Sequence, residues 1–422
     1  MVSETTPLQD EYEYDEEDIH PFELMLKKTV SKKPVIWGLS LLIGGPLIYF
    51  LLVFLPNLAP PAADIPDLTM VSSPSVYLHP LIPPKAHRSE IEQQLKDPES
   101  PVKIVPDFEK WELLDSSSKL FKKHFDKSDI DESLKPVKRI ILIGDVHGSL
   151  FELQKLLKKI GYDGGHRDQI FLVGDFLAKG KNSIGVLDYV IQNRIGCVIG
   201  NHEWEVLKRY AQFHGLPALT VNGTTTPDYH ASEQYDLDDL MRIAKHLTPE
   251  HIEYLAQCPI IQELGPVPRL TNKKQTKYAP VPADGVAVHG GLVWNIEDLE
   301  DQDPESVLTM RNLLPPDWVI PTDNRHDSVD GVKSKAWSKF WTKYQREVVA
   351  NNTDEDPFTL GTKVYYGHDA KRGLVAKEFS TGLDSGCVYG AQLSAEIIWS
   401  EVIQGKSKDA IVYKRMLSQV NC

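Results

Sequence analysis

Five short apolar segments of this chain each end at a glycine, and a residue able to bind a metal ion lies at or beside that glycine. The segments occupy residues 140–143, 169–173, 195–199, 286–288 and 364–366. Short apolar runs bounded by turn residues are typical of buried strands. The pattern predicts strands whose ends meet along one edge of a sheet, and it predicts one polar site assembled there.

Amphipathic segments separate the first three of these strands. After Ser149, which can cap a helix, apolar residues recur at helical spacing as far as Gly161, which can end it. A second helix is predicted over residues 183–193. Because strand and helix alternate, the first half is predicted to be an α/β unit with parallel strands.

The second half of the chain is predicted to hold more strands than helices. Residues 204–256 are helix-rich and predict a helical insertion. Further strands are predicted at residues 285–288, 363–366, 386–398 and 410–414. The expected fold class is therefore α/β, with a second sheet packed on the first, in a domain over residues 137–420.

Residues Val35 to Leu55 form an uncharged, almost wholly apolar run of 21 residues. At ~1.5 Å per residue, a helix of this length spans about 30 Å, the thickness of a bilayer core. Four lysines precede the run, and no lysine or arginine follows it before Lys85. By the positive-inside rule, the run predicts a transmembrane signal anchor, a type II topology and a lumenal or external domain.

The segments flanking the predicted anchor are expected to lack a fold of their own. Residues 1–34 hold nine acids and four lysines and predict a disordered cytosolic tail. Within residues 56–136, the proline-rich stretch of residues 56–84 predicts a stalk, and residues 85–136 predict a helical neck or an N-terminal extension of the domain. Asn222 and Asn351 lie in sequons for N-glycosylation, which agrees with a lumenal location.

Composition narrows the choice of partners. The formal net charge is −14, so the chain lacks the net basic balance of nucleic-acid-binding proteins, and no nucleic-acid partner is expected. An anionic substrate would have to be attracted locally, by metal ions and a few basic side chains. The four cysteines lack C-x-x-C spacing, which disfavours a cysteine zinc site. Cys197 lies in an apolar segment and is expected to be a buried free thiol.

The strand tips carry the candidate chemistry. Asp145 and His147, two residues apart at a strand end, can point at one ion, although Asp-x-His alone is a weak signal. The signal gains weight because similar tips recur along the chain, at Asp175, at Asn201 with His202, at His289 and at His368. A carboxylate and imidazole cluster at one sheet edge is the expected result.

These blocks also carry a family resemblance. GDVHG at 144–148, GDFLAKG at 174–180, GNHE at 200–203, HGG at 289–291 and YGHDA at 366–370 resemble the calcineurin-like metallophosphoesterases in order and spacing. They look most like the phosphoprotein phosphatase branch. The lysine form of the second block, together with GLDSGCVYG at 382–390, resembles the ApaH-like phosphatases, relatives of bacterial diadenosine tetraphosphatase. The resemblance implies two packed mixed sheets flanked by helices.

The resemblance also implies residue roles. Asp145 and His147 would bind a first divalent metal ion, Asp175 would bridge both ions, and Asn201, His289 and His368 would bind the second. Zinc is the preferred identity, with manganese, iron and cobalt as alternatives. His202 would act on the leaving oxygen as the catalytic residue. The expected contacts to a polyanionic substrate are Lys179, Lys371 and Arg372.

Two departures from the protein phosphatases bear on the substrate. The aspartate that supports the catalytic histidine is Ala178 here, and the phosphate-binding arginine is Lys179. A polyphosphate leaving group is a weaker base than an alkoxide, so it needs less protonation. The changes therefore favour a phosphoanhydride.

The predicted anchor is similar to that of fungal vacuolar zinc-dependent endopolyphosphatases, which favours cleavage inside polyphosphate at the vacuole membrane. A Ser/Thr phosphoprotein phosphatase, a hydrolase of dinucleoside polyphosphates or capped RNA, and a metal-free scaffold are the alternatives.

Overall fold

The computed structural model describes residues 33–54, 60–84, 100–125, 133–162, 164–165, 167–225, 238–269, 282–351, 361–405 and 408–422. The chain divides after Pro61 into two units, residues 1–61 and residues 62–422. In the first unit, helix α1 spans Lys33–Tyr49 and a π-helical segment follows over Phe50–Phe54. Within the described ranges, no helix is both long and apolar enough to span a membrane. The predicted tail lies outside the described residues apart from its last two positions.

The second unit holds the remaining elements. Its helices are α2 Lys119–His124, α3 Leu150–Lys159, α4 Ser183–Gln192, α5 Asn201–His214, α6 Asp239–Ala244, α7 Pro249–Gln257, α8 Pro304–Thr309 and α9 Trp337–Asn351. Its strands are β1 Val71–Ser72, β2 Val76–Leu78, β3 Leu81–Ile82, β4 Glu112–Leu113, β5 Lys135–Val137, β6 Arg139–Ile143, β7 Asp168–Leu172, β8 Gly196–Cys197, β9 Thr220–Val221, β10 Thr224–Thr225, β11 Ile261–Val267, β12 Ala283–Ala287, β13 Asn312–Leu314, β14 Ile320–Thr322, β15 Ser328–Val329, β16 Val332–Lys333, β17 Lys335–Ala336, β18 Thr362–Tyr366, β19 Val375–Ala376, β20 Ser380–Gly382, β21 Gln392–Ile403 and β22 Ala410–Asn421.

Two mixed sheets dominate the unit, as expected from the sequence. Sheet I has the order β1-β11-β12-β18-β20-β19, with β12, β18 and β20 parallel. Sheet II has the order β4-β3-β21-β6-β7-β8, and β22 also pairs with β21, in antiparallel register. Strands β6, β7 and β8 are parallel and are joined through α3 and α4, which confirms the predicted α/β unit.

One face of each sheet packs in a shared core between the two sheets. Ile140 and Leu142 of sheet II pack with Ala287 and Tyr365 of sheet I in one buried cluster. The intervening Ile141 and other outward residues join a second cluster with the flanking helices. Because a sheet buried on both faces needs partners on both sides, this arrangement explains the continuous apolar runs in β6 and β7.

The prediction of a stalk and neck over residues 56–136 is wrong for the part of it that the structure describes after Pro61, whereas the alternative for residues 85–136, an N-terminal extension of the domain, agrees with the described part. Strand β1 pairs with β11, β3 pairs with β21, and β2 pairs with β5, so this stretch contributes to both sheets and to a separate strand pair. Leu81 and Trp111 are buried in the core. The strands of residues 71–82 are only two or three residues long, and prolines lie between them. Proline is compatible with a sheet at such positions, because it does not have to donate a hydrogen bond within a strand.

Two local expectations are also corrected. Cys197 is not a free thiol: it is disulfide-bonded to Cys258, which lies just after α7 with its Cα 5.1 Å away, and Cys387 is bonded to Cys422. Spacing in the sequence does not reveal such contacts, because separate elements bring the sulfurs together. The predicted strand over 386–398 begins only at Gln392, since a 3-10 turn occupies Cys387–Tyr389. The predicted insertion over 204–256 contains α6, most of α5 and of α7, and the β9–β10 hairpin.

Candidate active site

The predicted site residues lie where strands of both sheets end. Asp145 and His147 follow β6, Asp175 follows β7, and the loop after β8 leads into α5, which begins at Asn201. His289 and His368 follow β12 and β18 of sheet I. Ligand sites of α/β proteins form at the carboxyl ends of parallel strands, because the loops there converge. The structure brings all six predicted ligands together at this edge.

The backbone at these turns is held in an unusual conformation. Positive φ angles occur at His147 (46°), Asp175 (50°) and His368 (66°), and also at Ala178 and Lys179 of the second block. Non-glycine residues rarely adopt this region, and such strain clusters at functional sites, where the surrounding structure enforces it. The surrounding structure therefore holds the backbone of these turns in a strained conformation, and their side chains lie close together.

Asp175 lies at the centre of the cluster. Its Oδ1 is 3.2 Å from His289 Nε2, and its Oδ2 is 3.6 Å from His147 Nε2 and 3.8 Å from His202 Nε2. The ligand atoms form two groups, His147–Asp175–His202 and Asp175–His289–His368, each within 4.8 Å. Because Asp175 belongs to both groups, its two carboxylate oxygens face different histidine groups, each of which could hold a metal ion.

Backbone carbonyls set the tautomers of three histidines. Since a carbonyl oxygen only accepts, Nδ1 of His147 donates to Leu177 O at 3.0 Å and Nδ1 of His289 donates to Val173 O at 2.9 Å. Nε2 of His368 donates to Thr309 O at 2.8 Å. In His147 and His368 the other nitrogen is left with its lone pair toward the cluster. Although burial lowers the pKa of His289, the nearby Asp175 raises it overall, and Nε2 of His289 lies 3.2 Å from Asp175 Oδ1. Metal-bound histidines are oriented in this way in proteins.

Charge also fits a cation site. Burial, with the nearby carboxylates of Asp384 and Asp175, raises the pKa of Asp145 well above its usual range. Burial lowers the pKa of His147 to about 4, and burial with the neighbouring His289 holds the pKa of His368 well below its usual range, so both imidazoles are neutral and able to bind a metal. Buried carboxylates without a neutralising cation are costly, and divalent ions would remove that cost.

Glu203 is a positioning residue that the sequence analysis did not identify. Its carboxylate is fully buried and accepts three backbone N–H groups: Oε2 from Asp175 at 2.8 Å and from Gly200 at 2.9 Å, and Oε1 from Leu177 at 2.8 Å. Burial raises the pKa of Glu203 to about 7. The side chain ties the second block to the start of α5. The GNHE block contained the available signal, a glutamate at the third helical position that can form a capping box.

His202 lies beside the cluster, and no described residue orients its ring through Nδ1. Its Nδ1 is buried and has no hydrogen-bond partner among the described residues, while its backbone N–H donates to Asp175 Oδ1 at 3.0 Å. Burial lowers the pKa of His202. The unpartnered nitrogen agrees with the absence of a carboxylate at Ala178, which the sequence comparison with protein phosphatases had indicated.

A cavity of about 520 Å³ opens over the cluster. Lys179 and Lys371 line it, as predicted, and Lys179 Nζ is 3.2 Å from His147 Nε2. Arg372 is not among its lining residues, so its predicted substrate contact is not supported: the guanidinium bonds Asp369 and Asn312 instead. Cavity residues that the sequence analysis did not single out are Arg311, Asp323, Asn324, Arg325, His326, Asp384 and Tyr389.

The predicted glycosylation sites differ in their surroundings. Asn222 is exposed, and its side chain accepts from Met70 N and donates to Glu300. Asn351 is exposed at the end of α9, and the threonine of its sequon lies outside the described residues. Modification at either asparagine stays a prediction.

Comparison with known proteins identifies the class to which this fold and site belong. The sequence profile of the calcineurin-like phosphoesterases matches residues 138–334. The chain is 36% identical over 284 residues to a symmetrical bis(5'-nucleosyl)-tetraphosphatase of Enterobacter sp. (strain 638), covering 60% of this chain and 89% of that protein. The chain belongs to the calcineurin-like phosphoesterase family and is a metallophosphoesterase, a hydrolase.

A second curated relative has a different printed activity. The chain is 27% identical over 301 residues to the zinc-dependent endopolyphosphatase of Saccharomyces cerevisiae, covering 68% of this chain and 81% of that protein. Among solved structures, a putative diadenosine tetraphosphatase matches 66% of this chain and 94% of its own, at 25% identity and a TM-score of 0.43.

Proposed function

We propose that this protein cleaves phosphoanhydride bonds inside inorganic polyphosphate, as an endopolyphosphatase with two divalent metal ions. The observation that carries the proposal is the position of Asp175, each of whose carboxylate oxygens faces a different histidine group. One bridging carboxylate between two nitrogen-rich positions is the arrangement of dinuclear hydrolases, in which the ions lie about 3.5–4 Å apart.

The residues divide between the two proposed ions. Asp145 and His147 would hold one, with Asp175 shared, and Asn201, His289 and His368 would hold the other. When bound, divalent cations supply charge to stabilise the phosphoryl oxygens and lower the pKa of the attacking water. Zinc fits the imidazole and carboxylate set, as manganese, iron and cobalt also do. The backbone carbonyls that fix the ring tautomers keep the free nitrogen lone pairs aimed at these positions.

The protein's own groups favour a good leaving group. His202, whose Nε2 lies 3.8 Å from Asp175 Oδ2, is the group proposed to carry a proton to the leaving oxygen, and its buried Nδ1 lacks a partner among the described residues. A carboxylate partner would hold the imidazole ring in one orientation, and without it the ring donates a proton to the leaving oxygen less effectively. A polyphosphate leaving group needs little protonation, whereas a serine alkoxide needs much. The site therefore supports a phosphoanhydride over a phosphoserine ester.

Cations on the cavity wall support an extended anionic substrate. Lys179 and Lys371 line the cavity over the ligands. Lysine contributes a compact point charge, which tolerates a repeating phosphate chain in several registers. The yeast relative, described as a zinc-dependent endopolyphosphatase, agrees with this substrate class.

Hydrolysis of dinucleoside polyphosphates is the second candidate. Tyr389 lines the cavity with 72% of its surface exposed, on a turn fixed by the Cys387–Cys422 disulfide. An exposed aromatic ring beside a phosphate site can stack on a nucleobase. The bis(5'-nucleosyl)-tetraphosphatase relatives favour the same substrate. The removal of Tyr389 distinguishes the two candidates.

A membrane-anchored, lumenal location, at the vacuole in particular, is also part of the proposal. Both disulfides support an oxidising compartment, because cytosolic thiols are kept reduced. The four lysines before the apolar run of residues 35–55 support a cytosolic N-terminus. Protease protection of the catalytic domain in intact organelles tests this topology, and digestion without detergent would contradict it.

The test of substrate is product analysis with purified protein supplied with zinc or manganese. Long-chain polyphosphate should yield ladders of shortened chains, and Tyr389→Ala should leave this cleavage within about two-fold, because inorganic polyphosphate has no base to stack. Cleavage of diadenosine tetraphosphate that exceeds polyphosphate cleavage and falls with Tyr389→Ala would favour the second candidate. Faster turnover of a phosphoserine peptide than of polyphosphate would contradict both.

A further inference from the structure

Asp384 lies in the turn after β20, against the turn that carries Asp145. The backbone of Leu383 and Asp384 packs so closely on Gly144 that a Cβ atom on this glycine would meet both residues. Leu383 N donates to the carbonyl of Tyr366 at 2.8 Å, which ties the same turn to the end of β18. The turn that carries Asp384 is therefore fixed between a strand end of each sheet.

The carboxylate of Asp384 lines the cavity although only 5% of the residue is exposed. Its Oδ1 accepts from Gly386 N at 3.0 Å, which holds the side chain in place. Among the described residues, none brings a basic side chain to ion-pair distance from this carboxylate, and its acidic neighbours are Asp145 and Asp175. Three acidic groups in one buried region repel one another unless a cation lies among them.

The two proposed metal positions differ in the donors that they offer. The second position has an amide and two imidazoles, from Asn201, His289 and His368. The first has only Asp145, His147 and the shared Asp175, and His147 Nε2 lies 4.0 Å from Asp145 Oδ2 and 3.6 Å from Asp175 Oδ2. Zinc takes about four donors in proteins and manganese about six. The first position therefore has room for a further protein donor, and Asp384 is the carboxylate beside Asp145.

We infer that Asp384 is an additional acidic ligand of the first metal position and makes that position rich in oxygen. The inference rests on the dinuclear centre of the proposed function. Carboxylates suit hard ions such as manganese, whereas imidazoles suit zinc. With Asp384 included, the first position has three carboxylates and one imidazole and favours manganese. The second position has more nitrogen donors and favours zinc.

The test compares Asp384→Asn with Asp239→Asn, a matched control on α6 whose exposed side chain pairs with Arg242. Metal-free protein is titrated with Mn²⁺ in a calorimeter, and the bound metal is counted by elemental analysis. His147→Ala identifies the binding step of the first position, because His147 belongs to only one of the two ligand groups. Asp384→Asn should weaken Mn²⁺ binding in that step about 10- to 100-fold and leave the other step within about two-fold. Asp239→Asn should match the wild type.

The stability of the metal-free protein separates a ligand from a merely structural residue. Asparagine has nearly the same shape as aspartate and keeps an oxygen that can accept from Gly386 N. Because the charge of Asp384 repels that of Asp145, removing it should not weaken the metal-free fold. Metal-free Asp384→Asn should therefore unfold at a urea concentration at least as high as the wild type. A lower midpoint combined with unchanged Mn²⁺ affinity would overturn the inference.

Two results of the titration would also overturn it: Mn²⁺ affinity within about two-fold of the wild type at the first step, or equal weakening of both steps. If Asp384→Asn does not fold, Asp384→Ser decides by the same criteria, because serine also offers an acceptor to Gly386 N. A weakened first step in a protein whose wild type does not cleave polyphosphate would keep Asp384 as a ligand and reject only the proposed substrate. Polyphosphate cleavage by the wild type, with both steps unchanged in Asp384→Asn, would reject only the inference.

Discussion

Replacing Glu203 by glutamine tests whether the buried carboxylate positions the metal-binding turns. The carboxylate accepts N–H groups from Asp175, Leu177 and Gly200. A glutamine in the same place has one acceptor oxygen, and its NH2 group must face at least one of these donors. The variant therefore leaves a buried backbone N–H unsatisfied, because that N–H and the glutamine NH2 group, both donors, face each other. The volume of the side chain changes very little.

The size of the effect follows from these bonds. A hydrogen bond to a charged group contributes about 1.5–3 kcal/mol, and an orphaned buried donor costs about 1–3 kcal/mol. Because burial raises the pKa of Glu203 to about 7, the carboxyl is only partly ionised at neutral pH, and the orphaned donor sets the size of the effect. Glu203→Gln should therefore lower the free energy of unfolding by about 1–3 kcal/mol. Because the backbone of Asp175 is one of the partners, metal affinity should fall about 10- to 100-fold, as for other residues that support metal ligands.

The assay is urea unfolding of metal-free protein, combined with zinc titration of the folded protein. Glu205→Gln is the matched control, because Glu205 lies on the same helix and pairs with the partly exposed Lys208 and Arg209. Such ion pairs contribute about 0–1 kcal/mol, and the control should keep wild-type metal affinity. A Glu203→Gln protein with wild-type zinc affinity and a stability loss below about 1 kcal/mol would refute the reasoning.

Three further predictions concern the rest of the fold and the substrate. Replacing both Cys197 and Cys258 by alanine opens a loop with a sequence separation of 61 residues, and should lower the unfolding free energy by about 4 kcal/mol under non-reducing conditions; a loss below about 1 kcal/mol would contradict the chain-entropy account. Burial lowers the pKa of Lys363 to about 7, so between pH 7 and the ordinary pKa of lysine the unfolded chain binds a proton that the folded chain does not. The unfolding free energy of the wild type, measured relative to that of Lys363→Met, should therefore rise by about 1.4 kcal/mol per pH unit above pH 7. A difference that does not change with pH would contradict this prediction. Ala178→Asp restores a carboxylate where the protein phosphatases have one, and should raise the rate on a phosphoserine peptide relative to polyphosphate, whereas an unchanged ratio would reject the leaving-group argument.

Much of the fold was predictable because the relevant signals are local. Apolar runs ending in glycine marked the strands β6, β7, β12 and β18, and the capped repeat after Ser149 marked α3. The parallel order followed from the alternation of strands and helices. The ligands were predictable for the same reason, since each lies at a strand tip and the tips of parallel strands meet at one edge.

The remaining features depend on contacts between distant parts of the chain. Residues 62–84 look like a stalk because prolines interrupt them, yet their short strands complete both sheets. The partner of Cys197 is set by the position of α7 and not by spacing. Arg311, just before β13, lines the cavity, where its guanidinium donates to the carbonyl of His368, 57 residues further along the chain. No periodicity marks a residue whose role comes from a single long-range contact.

The most direct measurement is the metal stoichiometry of the wild type and of Asp175→Asn, determined together with their polyphosphate cleavage. The account predicts about two divalent ions per wild-type chain, as in other dinuclear hydrolases. It predicts that Asp175→Asn, with the same fold by circular dichroism, loses at least one ion and does not shorten polyphosphate. An Asp175→Asn protein that retains both ions and cleaves polyphosphate at the wild-type rate would contradict the bridging role on which the proposed function depends.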